Sequence, residues 1–189
     1  MPGSWVAEVS GKVGACRLRP AVEADLAPLA ALARETYAAA FGHTFERTAD
    51  LAAHLETHLS ESAVGLWLAE DMVTVAEQDG RLVAFAQFGP TPLGSYGGFP
   101  LEGDCALHRL YVATDLLNGG VGGSLLRAAL ADMERLGGDT YLDVWEENHG
   151  AQRLYARHGF VPVGRVKLDT MSGAGAGYDI VMVRRTAPS

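Results

Sequence analysis

The clearest hydrophobic pattern in the chain lies in its second half, where apolar residues recur every three or four positions. They are Val121, Leu125, Ala129, Met133 and Leu136. This spacing predicts an amphipathic helix with one face against a sheet, closed by the glycine pair at 137–138. An apolar segment at 105–112 and the glycine-rich residues 118–124 (NGGVGGS) come before it. The order is therefore strand, glycine turn, helix.

Shorter patterns predict the other elements, and the turn pair Asp79-Gly80 marks a hairpin. The predicted segments are a strand at 15–20, a helix from Asp25, a helix at 48–59, an apolar patch at 64–68, strands at 72–77 and 82–88, a strand at 140–145, a helix at 148–158, and strands at 160–163 and 178–183. Strands and helices in this order predict an α/β, or mixed α+β, sandwich.

Length and composition favour a single domain. The chain has 189 residues, of which 48% are hydrophobic, enough to bury about two thirds of its unfolded surface. We expect the domain to span residues 15–186, after a flexible leader at residues 1–14. No apolar run approaches the ~20 residues of a membrane span, and no signal-peptide region is evident. We therefore expect a cytoplasmic protein without a membrane partner.

The net charge and the metal-binding residue types limit which classes of partner are expected. The chain has 15 Lys and Arg against 23 Asp and Glu, a net charge of −8, and no basic block that would favour nucleic acid. An acidic protein attracts cations, which favours an amine substrate. Cys16 and Cys105 are interpreted as small apolar residues. His54 and His58 are interpreted as a solvated helix face because no third metal ligand accompanies them.

The glycine turn at 118–124 predicts an anion site. Glycines let the backbone turn its N–H groups outward, and a helix start adds free N–H groups and a positive dipole end, which together suit phosphate. A Walker loop is disfavoured because Ser124 stands where lysine is needed. A dinucleotide fingerprint is disfavoured because Leu125 stands where glycine or alanine is needed. The alternative is that the glycines only allow a tight turn.

A second pattern, NxxAxxxYxxxGF, begins at Asn148 and ends at Phe160. Asn148 and Tyr155 are seven residues apart, about 700° of helical rotation, and therefore share a face. Ala151 and Gln152 lie between them. An amide, a small residue and a phenol would then line one groove.

Together with the strand and glycine turn, this pattern resembles the GNAT acetyltransferases, which bind acetyl-coenzyme A. The resemblance runs from about Arg17 to Arg185, and its specific part is residues 107–160. It implies a mostly antiparallel twisted sheet of about six or seven strands, splayed between two parallel strands and flanked by about four helices. Residues 35–41 and 144–148, with the closing segment, are similar to the PaiA-like polyamine acetyltransferase branch.

The resemblance also implies where the cofactor binds. The pantetheine arm would lie between the two parallel strands and the pyrophosphate in the glycine turn, while Asn148 would orient the pantetheine or the strand opening. No metal is implied. The implied cofactor-binding residues are Leu110, Tyr111, Val112, Leu117, Asn118, Gly119, Gly120, Val121, Gly122, Gly123, Ser124, Asn148, Gln152 and Tyr155.

Acetyl transfer needs a neutral amine, donors for the oxyanion and a proton for the departing thiolate. The resemblance implies Tyr155 as general acid, since a phenol of pKa ~10 is protonated at neutral pH. Family members often carry a Glu as base at about the position of His108, and an imidazole is a chemically reasonable replacement. Glu102 and Asp104 compete for that role. A backbone N–H near Leu110 would meet the oxyanion.

The glycine turn departs from the family pattern. Leu117 occupies the usual Gln or Arg position, Asn118 that of a common glycine, and Gly119 that of a frequent Lys or Arg. The cradle therefore carries no side-chain cation of its own. Arg153 and Arg157, on the next predicted helix, are candidates to compensate.

The expected function is transfer of an acetyl group from acetyl-coenzyme A to a primary amine of a small molecule, with polyamines as a candidate class. The alternatives are a coenzyme A-binding or regulatory module without activity, a protein or peptide N-acetyltransferase, and a different acyl group. Family members commonly form homodimers, and the sequence leaves a homodimer open. The candidate acceptor-pocket residues are Glu35, Tyr37, Phe41, Tyr96 and Phe99.

Overall fold

One sheet runs through the part of the chain that the computed structural model describes, namely residues 5–11, 14–89, 105–167 and 177–186. It follows the order β1-β2-β3-β4-β5-β6-β8-β7. Only β5 and β6 are parallel neighbours within these residues. The strands are β1 (Ala7–Gly11), β2 (Gly14–Pro20), β3 (Met72–Gln78), β4 (Arg81–Gly89), β5 (Cys105–Val112), β6 (Thr140–Trp145), β7 (Val161–Lys167) and β8 (Tyr178–Arg184).

Five α-helices accompany the sheet in the described residues. They are α1 (Leu26–Phe41), α2 (Thr48–Leu59), α3 (Glu61–Glu70), α4 (Val121–Leu136) and α5 (His149–Arg157). Helices α1 and α4 both pack on β4 and β5, and β4 is buried from Leu82 to Phe88, so the two helices cover opposite faces. Within the described ranges, no helix is both long and apolar enough to cross a membrane.

The predicted fold class is confirmed: a mixed, mostly antiparallel sheet with two parallel strands and flanking helices. The described residues hold slightly more elements than predicted. The apolar patch at 64–68 is part of a complete helix, α3, whose N-terminus is capped by the Ser60 hydroxyl accepting from the Ala63 N–H at 3.4 Å. The extra strand is β1.

The prediction of a flexible leader at residues 1–14 is wrong for residues 7–11. Ala7–Gly11 forms β1, which pairs antiparallel with β2 from Ala7 opposite Leu18 to Gly11 opposite Gly14. Val9 packs against the main core. The segment is ordered because β2 would otherwise leave an unpaired edge, and β1 supplies both the backbone pairing and an apolar side chain.

The parallel strands separate almost at once. Only Cys105 with Thr140 and Ala106 with Tyr141 are paired. Beyond these pairs, and among the residues that the structure describes, β5 is bonded only to β4, and β6 only to β8. A gap therefore opens in the centre of the sheet, and α4 and α5 follow the carboxyl ends of the two strands that border it.

Candidate active site

A groove of about 890 Å³ lies along the glycine turn, the ends of β5 and β6, and α5. Most of the predicted cofactor-binding residues line it, whereas Gly119 and Gln152 are not among its lining residues. The predicted residues that line it are Leu110, Tyr111, Val112, Leu117, Asn118, Gly120, Val121, Gly122, Gly123, Ser124, Asn148 and Tyr155. Segments distant in the sequence thus form one surface.

The start of α4 is an uncapped helix N-terminus. Gly120 occupies the N-cap position with φ of +95°, and no side chain accepts from the first turn. The positive φ explains the glycine, because an L residue is strained in this conformation. The first N–H groups of a helix lack intrahelical acceptors, and those of 121–123 lie on residues that line the groove. Such an end suits an anion.

A second glycine is required by packing. A Cβ built on Gly122 would lie 3.3 Å from Cγ2 of Val112, closer than most real contacts. Glycine therefore lets α4 approach the end of β5. The approach brings the helix N-terminus and the diverging strand to the same groove.

Asn148 and Gln152 hold α5 against the end of β6. The Asn148 side-chain oxygen caps α5 by accepting from the Ala151 N–H at 3.1 Å, and this bond fixes the orientation of its NH₂ group. The Gln152 amide donates to the carbonyls of Trp145 at 3.2 Å and Glu146 at 2.8 Å. Gln152 thus has a structural role, which its helical spacing from Asn148 did not reveal.

Tyr155 is a buried residue, only 7% exposed, that lines the groove. Its ring meets Phe160 edge-on, with 5.8 Å between the ring centroids. Burial raises the pKa of the Tyr155 phenol above its usual value, and the negative charge of Asp143 raises it further. The hydroxyl is therefore protonated throughout the neutral range, as a proton donor requires.

His108 lies at a bulge of β5. Gln87 pairs with Arg109 and Phe88 with Leu107, so the ladder between β4 and β5 skips His108. Its Nε2 is 4.0 Å from Oδ1 of Asp71. Burial lowers the pKa of the imidazole, a change that Asp71 opposes. His108 is not among the residues that line the groove.

A sequence model of the acetyltransferase (GNAT) family matches residues 29–160. This match spans more than half of the chain and includes both the glycine turn and the Asn148–Tyr155 pattern. The chain belongs to the acetyltransferase (GNAT) family. It is therefore an acyltransferase that uses acetyl-coenzyme A, and the resemblance inferred from the sequence is confirmed. No curated protein sequence matches the chain.

Solved structures share the fold of this acetyltransferase. The PaiA N-acetyltransferase of Thermoplasma acidophilum, in complex with coenzyme A, superposes with a TM-score of 0.70 at 18% identity, over 90% of this chain and 99% of that one. The ribosomal-protein-alanine N-acetyltransferase of Brucella melitensis gives 0.62 at 23% identity, over 89% and 99%. The ribosomal-protein-S18-alanine N-acetyltransferase of Escherichia coli gives 0.62 at 18% identity, over 92% and 96%.

Two arginines reach the groove of the acetyltransferase, one from α4 and one from α5. Arg127 and Arg157 line it, whereas Arg153 does not. Arg127 donates to the Ser124 hydroxyl at 3.0 Å, one helical turn away. Of the two arginines considered from sequence, the structure therefore brings only Arg157 to the groove, and Arg127 was missed although its i+3 spacing from Ser124 could have revealed it.

Aromatic side chains form a wall beside the groove of the acetyltransferase. Tyr37 lies 5.0 Å from Phe41 and 6.5 Å from Tyr111, measured between ring centroids. Phe41 lies 6.0 Å from Trp145, and Phe41, Tyr111 and Trp145 line the groove. His54 stacks on Tyr37 at 4.6 Å. The interpretation of His54 as a solvated residue is therefore wrong, because this ring stacking partly buries it.

The remaining acceptor candidates divide into two groups. Glu35 is exposed on α1 and does not line the groove. The described residues do not include Tyr96 and Phe99, nor the competing bases Glu102 and Asp104.

The groove also has lining residues that were not predicted from the sequence. They are brought to one surface by the fold: Val9, Ala40, Leu116, Trp145, Glu147, Gly150, Leu154 and His158.

Proposed function

We propose that this acetyltransferase transfers the acetyl group of acetyl-coenzyme A to the primary amine of a small cationic molecule, with polyamines as the first class to test. The observation that carries the proposal is the groove itself. It joins an uncapped helix N-terminus, the gap between two diverging strands and a buried tyrosine. These parts suit a long ligand with an anionic end and a reactive end.

The donor set fits acetyl-coenzyme A without a metal. The N–H groups at residues 121–123 and the side chains of Arg127 and Arg157 would hold the pyrophosphate. The exposed backbone edge of β5 at Leu110 and Val112 would pair with the pantetheine amides in the manner of an added strand. When bound, the cofactor supplies an activated acetyl thioester.

The chain then has two chemical tasks at the thioester. Tyr155 would donate its proton to the departing sulfur, which its raised pKa permits because the phenol stays protonated. A base must remove a proton from the incoming ammonium, since only a neutral amine is nucleophilic. The aromatic wall of Tyr37, Phe41, Tyr111 and Trp145 suits an acceptor that is both apolar and cationic, because ring faces attract ammonium groups.

A second candidate acceptor is a protein N-terminus. Two of the structures that share this fold are named as alanine N-acetyltransferases of ribosomal proteins. An α-amino group has a lower pKa than an alkyl ammonium and is more readily deprotonated. Such an acceptor would depend less on a strong base in the site.

Thiol release from acetyl-coenzyme A, measured with a panel of amines, tests the proposal. The panel contains spermidine, amino acids, an aminoglycoside and a peptide that begins with alanine. We expect the fastest release with spermidine. Fastest release with the peptide would favour the second candidate, whereas binding of acetyl-coenzyme A without release for any amine would favour an inactive binding module.

A further inference from the structure

An aspartate occupies an unusual position in the middle of the sheet. Asp143 is the fourth residue of β6, a central strand, and is exposed, whereas the neighbouring Leu142 and Val144 are buried. A central strand is normally covered on both faces in a sheet with helices on each side. Asp143 is reached by solvent because β5 has already separated from β6 at this level. Asp143 is not itself among the residues that line the groove, but it shares a face of β6 with Trp145, two residues further on, which does line it. The carboxyl group therefore lies beside the groove, on the strand that borders the gap.

Charged and titratable groups face Asp143 from every element around it. The carboxyl of Asp179, on β8, shares a hydrogen bond with it. His108 and Arg109 face it from β5. The charge of Asp143 also raises the pKa values of Tyr155, on α5, and Tyr111, on β5. Asp143 is thus located between the proposed proton donor and the polar residues of β5.

The pair of carboxyl groups distributes its proton unequally. Asp143 is open to solvent on one side, but the protein packed around the two carboxyl groups partly desolvates them and raises both pKa values, that of Asp179 to about 7. Their mutual hydrogen bond lowers the pKa of Asp143 and raises that of Asp179. Of two adjacent carboxyl groups only one ionises readily. Asp143 lies on β6, which borders the gap, and Asp179 lies one strand further away on β8, so Asp143 is the member that presents a carboxylate toward the groove.

We propose that Asp143 is the general base that receives the ammonium group of the acceptor and takes its proton, and that Asp179 is a positioning residue that holds the Asp143 carboxylate. This inference rests on the proposed function and identifies the acceptor as an amine that arrives as a cation. An ionised carboxylate both attracts an ammonium group and accepts its proton.

His108, the base expected from sequence, interacts with two carboxylates, and more strongly with Asp71 than with Asp143. Its Nε2 faces Asp71, and Asp71 is held by the Gln87 amide, which donates to Oδ2 at 2.5 Å. Arg109 in turn donates to Oε1 of Gln87 at 2.6 Å. These contacts form a network along β4 and β5. Asp143 acts electrostatically on Tyr155 as well as on His108.

The protons balance in this scheme. An N–H bond of the ammonium breaks and an O–H bond forms on Asp143, which later loses that proton to solvent. The neutral amine forms the C–N bond to the acetyl carbonyl carbon as the C–S bond breaks. Tyr155 gives its proton to the sulfur and regains one from the nitrogen. The products are the amide, the thiol of coenzyme A and one released proton.

The rates of thiol release with two different amines distinguish a general base from a residue with only a structural role. Spermidine is cationic at neutral pH and needs deprotonation, whereas hydroxylamine is already neutral. We expect Asp143→Asn to slow thiol release with spermidine by about 10²-fold or more and to leave release with hydroxylamine almost unchanged. Asp132→Asn, the same substitution on α4 at a residue that does not line the groove, should alter neither rate. Equal losses with both amines, or no loss with spermidine, would overturn the assignment.

Calorimetry with acetyl-coenzyme A separates failure of this inference from failure of the proposed function. Wild type and Asp143→Asn should bind the cofactor equally. If wild type does not bind it, or binds it but releases no thiol with either amine, the proposed function is wrong; if wild type releases thiol with spermidine and Asp143→Asn releases it equally fast, only the base assignment is overturned.

The conservative variant tests the positioning role of Asp179. Asparagine at this position still offers an N–H donor to Asp143, whereas alanine does not. We expect Asp179→Asn to keep most of the spermidine turnover and Asp179→Ala to lose about tenfold, roughly the effect of a lost hydrogen bond to a charged group. Losses of equal size in the two variants would contradict the role.

Discussion

The two halves of the groove are built in different ways. The cofactor half, comprising the glycine turn and the start of α4, offers mainly backbone N–H groups. The acceptor half, comprising the aromatic wall and the charged residues Asp143 and Asp179 beside it, offers side chains from α1, β5, β6 and β8. One half is local in sequence, and the other is assembled by the fold.

This difference follows from what each half must recognise. Coenzyme A is the same molecule for every member of the family, so a fixed backbone geometry is sufficient for it. Acceptors differ, and the side chains of a scaffold can change without altering its backbone. The cofactor half should therefore respond mainly to changes of backbone and the acceptor half to changes of single functional groups.

The largest effect is expected where the two halves meet. Tyr155→Phe keeps the buried ring and removes only the hydroxyl, so we expect kcat for thiol release to fall by about 10²-fold while the affinity for acetyl-coenzyme A stays within about twofold. Tyr178→Phe, on an exposed part of β8, is the matched control and should leave kcat unchanged. Steady-state kinetics and calorimetry measure the two quantities, and an unchanged kcat in Tyr155→Phe would remove the residue from the mechanism.

Two glycines with positive φ test the backbone half. Gly120, before α4, and Gly80, in the turn between β3 and β4, have φ of +95° and +77°, and a Cβ on either would meet nothing within 4 Å. Alanine at either position should cost about 1–2 kcal/mol of stability for the left-handed backbone. Only Gly120→Ala should also weaken acetyl-coenzyme A binding, by about tenfold, since only Gly120 caps the helix at the groove.

Thermal unfolding and calorimetry on both glycine variants separate the two effects. Similar losses of stability with different affinities would support a backbone cradle. Equal affinities would mean that Gly120 only allows the turn to close.

The carboxyl pair Asp143–Asp179 should lower the free energy of unfolding at neutral pH. The pKa of Asp179 is about 7 in the folded state, against an ordinary value of about 3.9. The folded protein therefore binds more protons than the unfolded chain between these values, and its stability falls as the pH rises through that window.

Replacing Asp179 by asparagine removes this titration. We expect Asp179→Asn to be more stable than wild type above about pH 7, by about 1 kcal/mol after allowance for its partial exposure, and similar to wild type near about pH 4. Unfolding temperatures across this pH range measure the difference. A constant difference at every pH would contradict the raised pKa.

The smallest effect is expected from cations at the edge of the cofactor half. Arg157→Ala should weaken acetyl-coenzyme A binding by about threefold, less than 1 kcal/mol, because the residue is exposed. The loss should disappear at high salt, which screens exposed charges. Arg153→Ala, one turn away on α5 and outside the groove, is the matched control. Equal losses in both variants would indicate only a general effect of charge.

The sequence was informative where structure is local. The helix at 48–59, the strand at 105–112 and the strand at 140–145 have the predicted bounds, because each depends on its own periodicity. The glycine turn and Tyr155 were recognisable because fixed spacings place them beside the groove. The strand β1 was missed, since its order depends on pairing with β2 rather than on a pattern of its own.

Asp143 and Trp145 were not identified as site residues for a different reason. Both belong to a strand that the sequence predicts correctly, but nothing local shows that β5 and β6 separate beside them. His108 was selected by its position relative to the family pattern, which does not reveal that its Nε2 faces Asp71. Contacts between strands distant in the sequence decide which side chains reach the gap.

A calorimetric titration of the wild-type protein with acetyl-coenzyme A tests the central claim most directly. A groove that holds the cofactor through the start of α4 and the edge of β5 predicts saturable binding of one molecule per chain and a higher unfolding temperature when it is bound. Absence of both binding heat and thermal stabilisation would contradict the account.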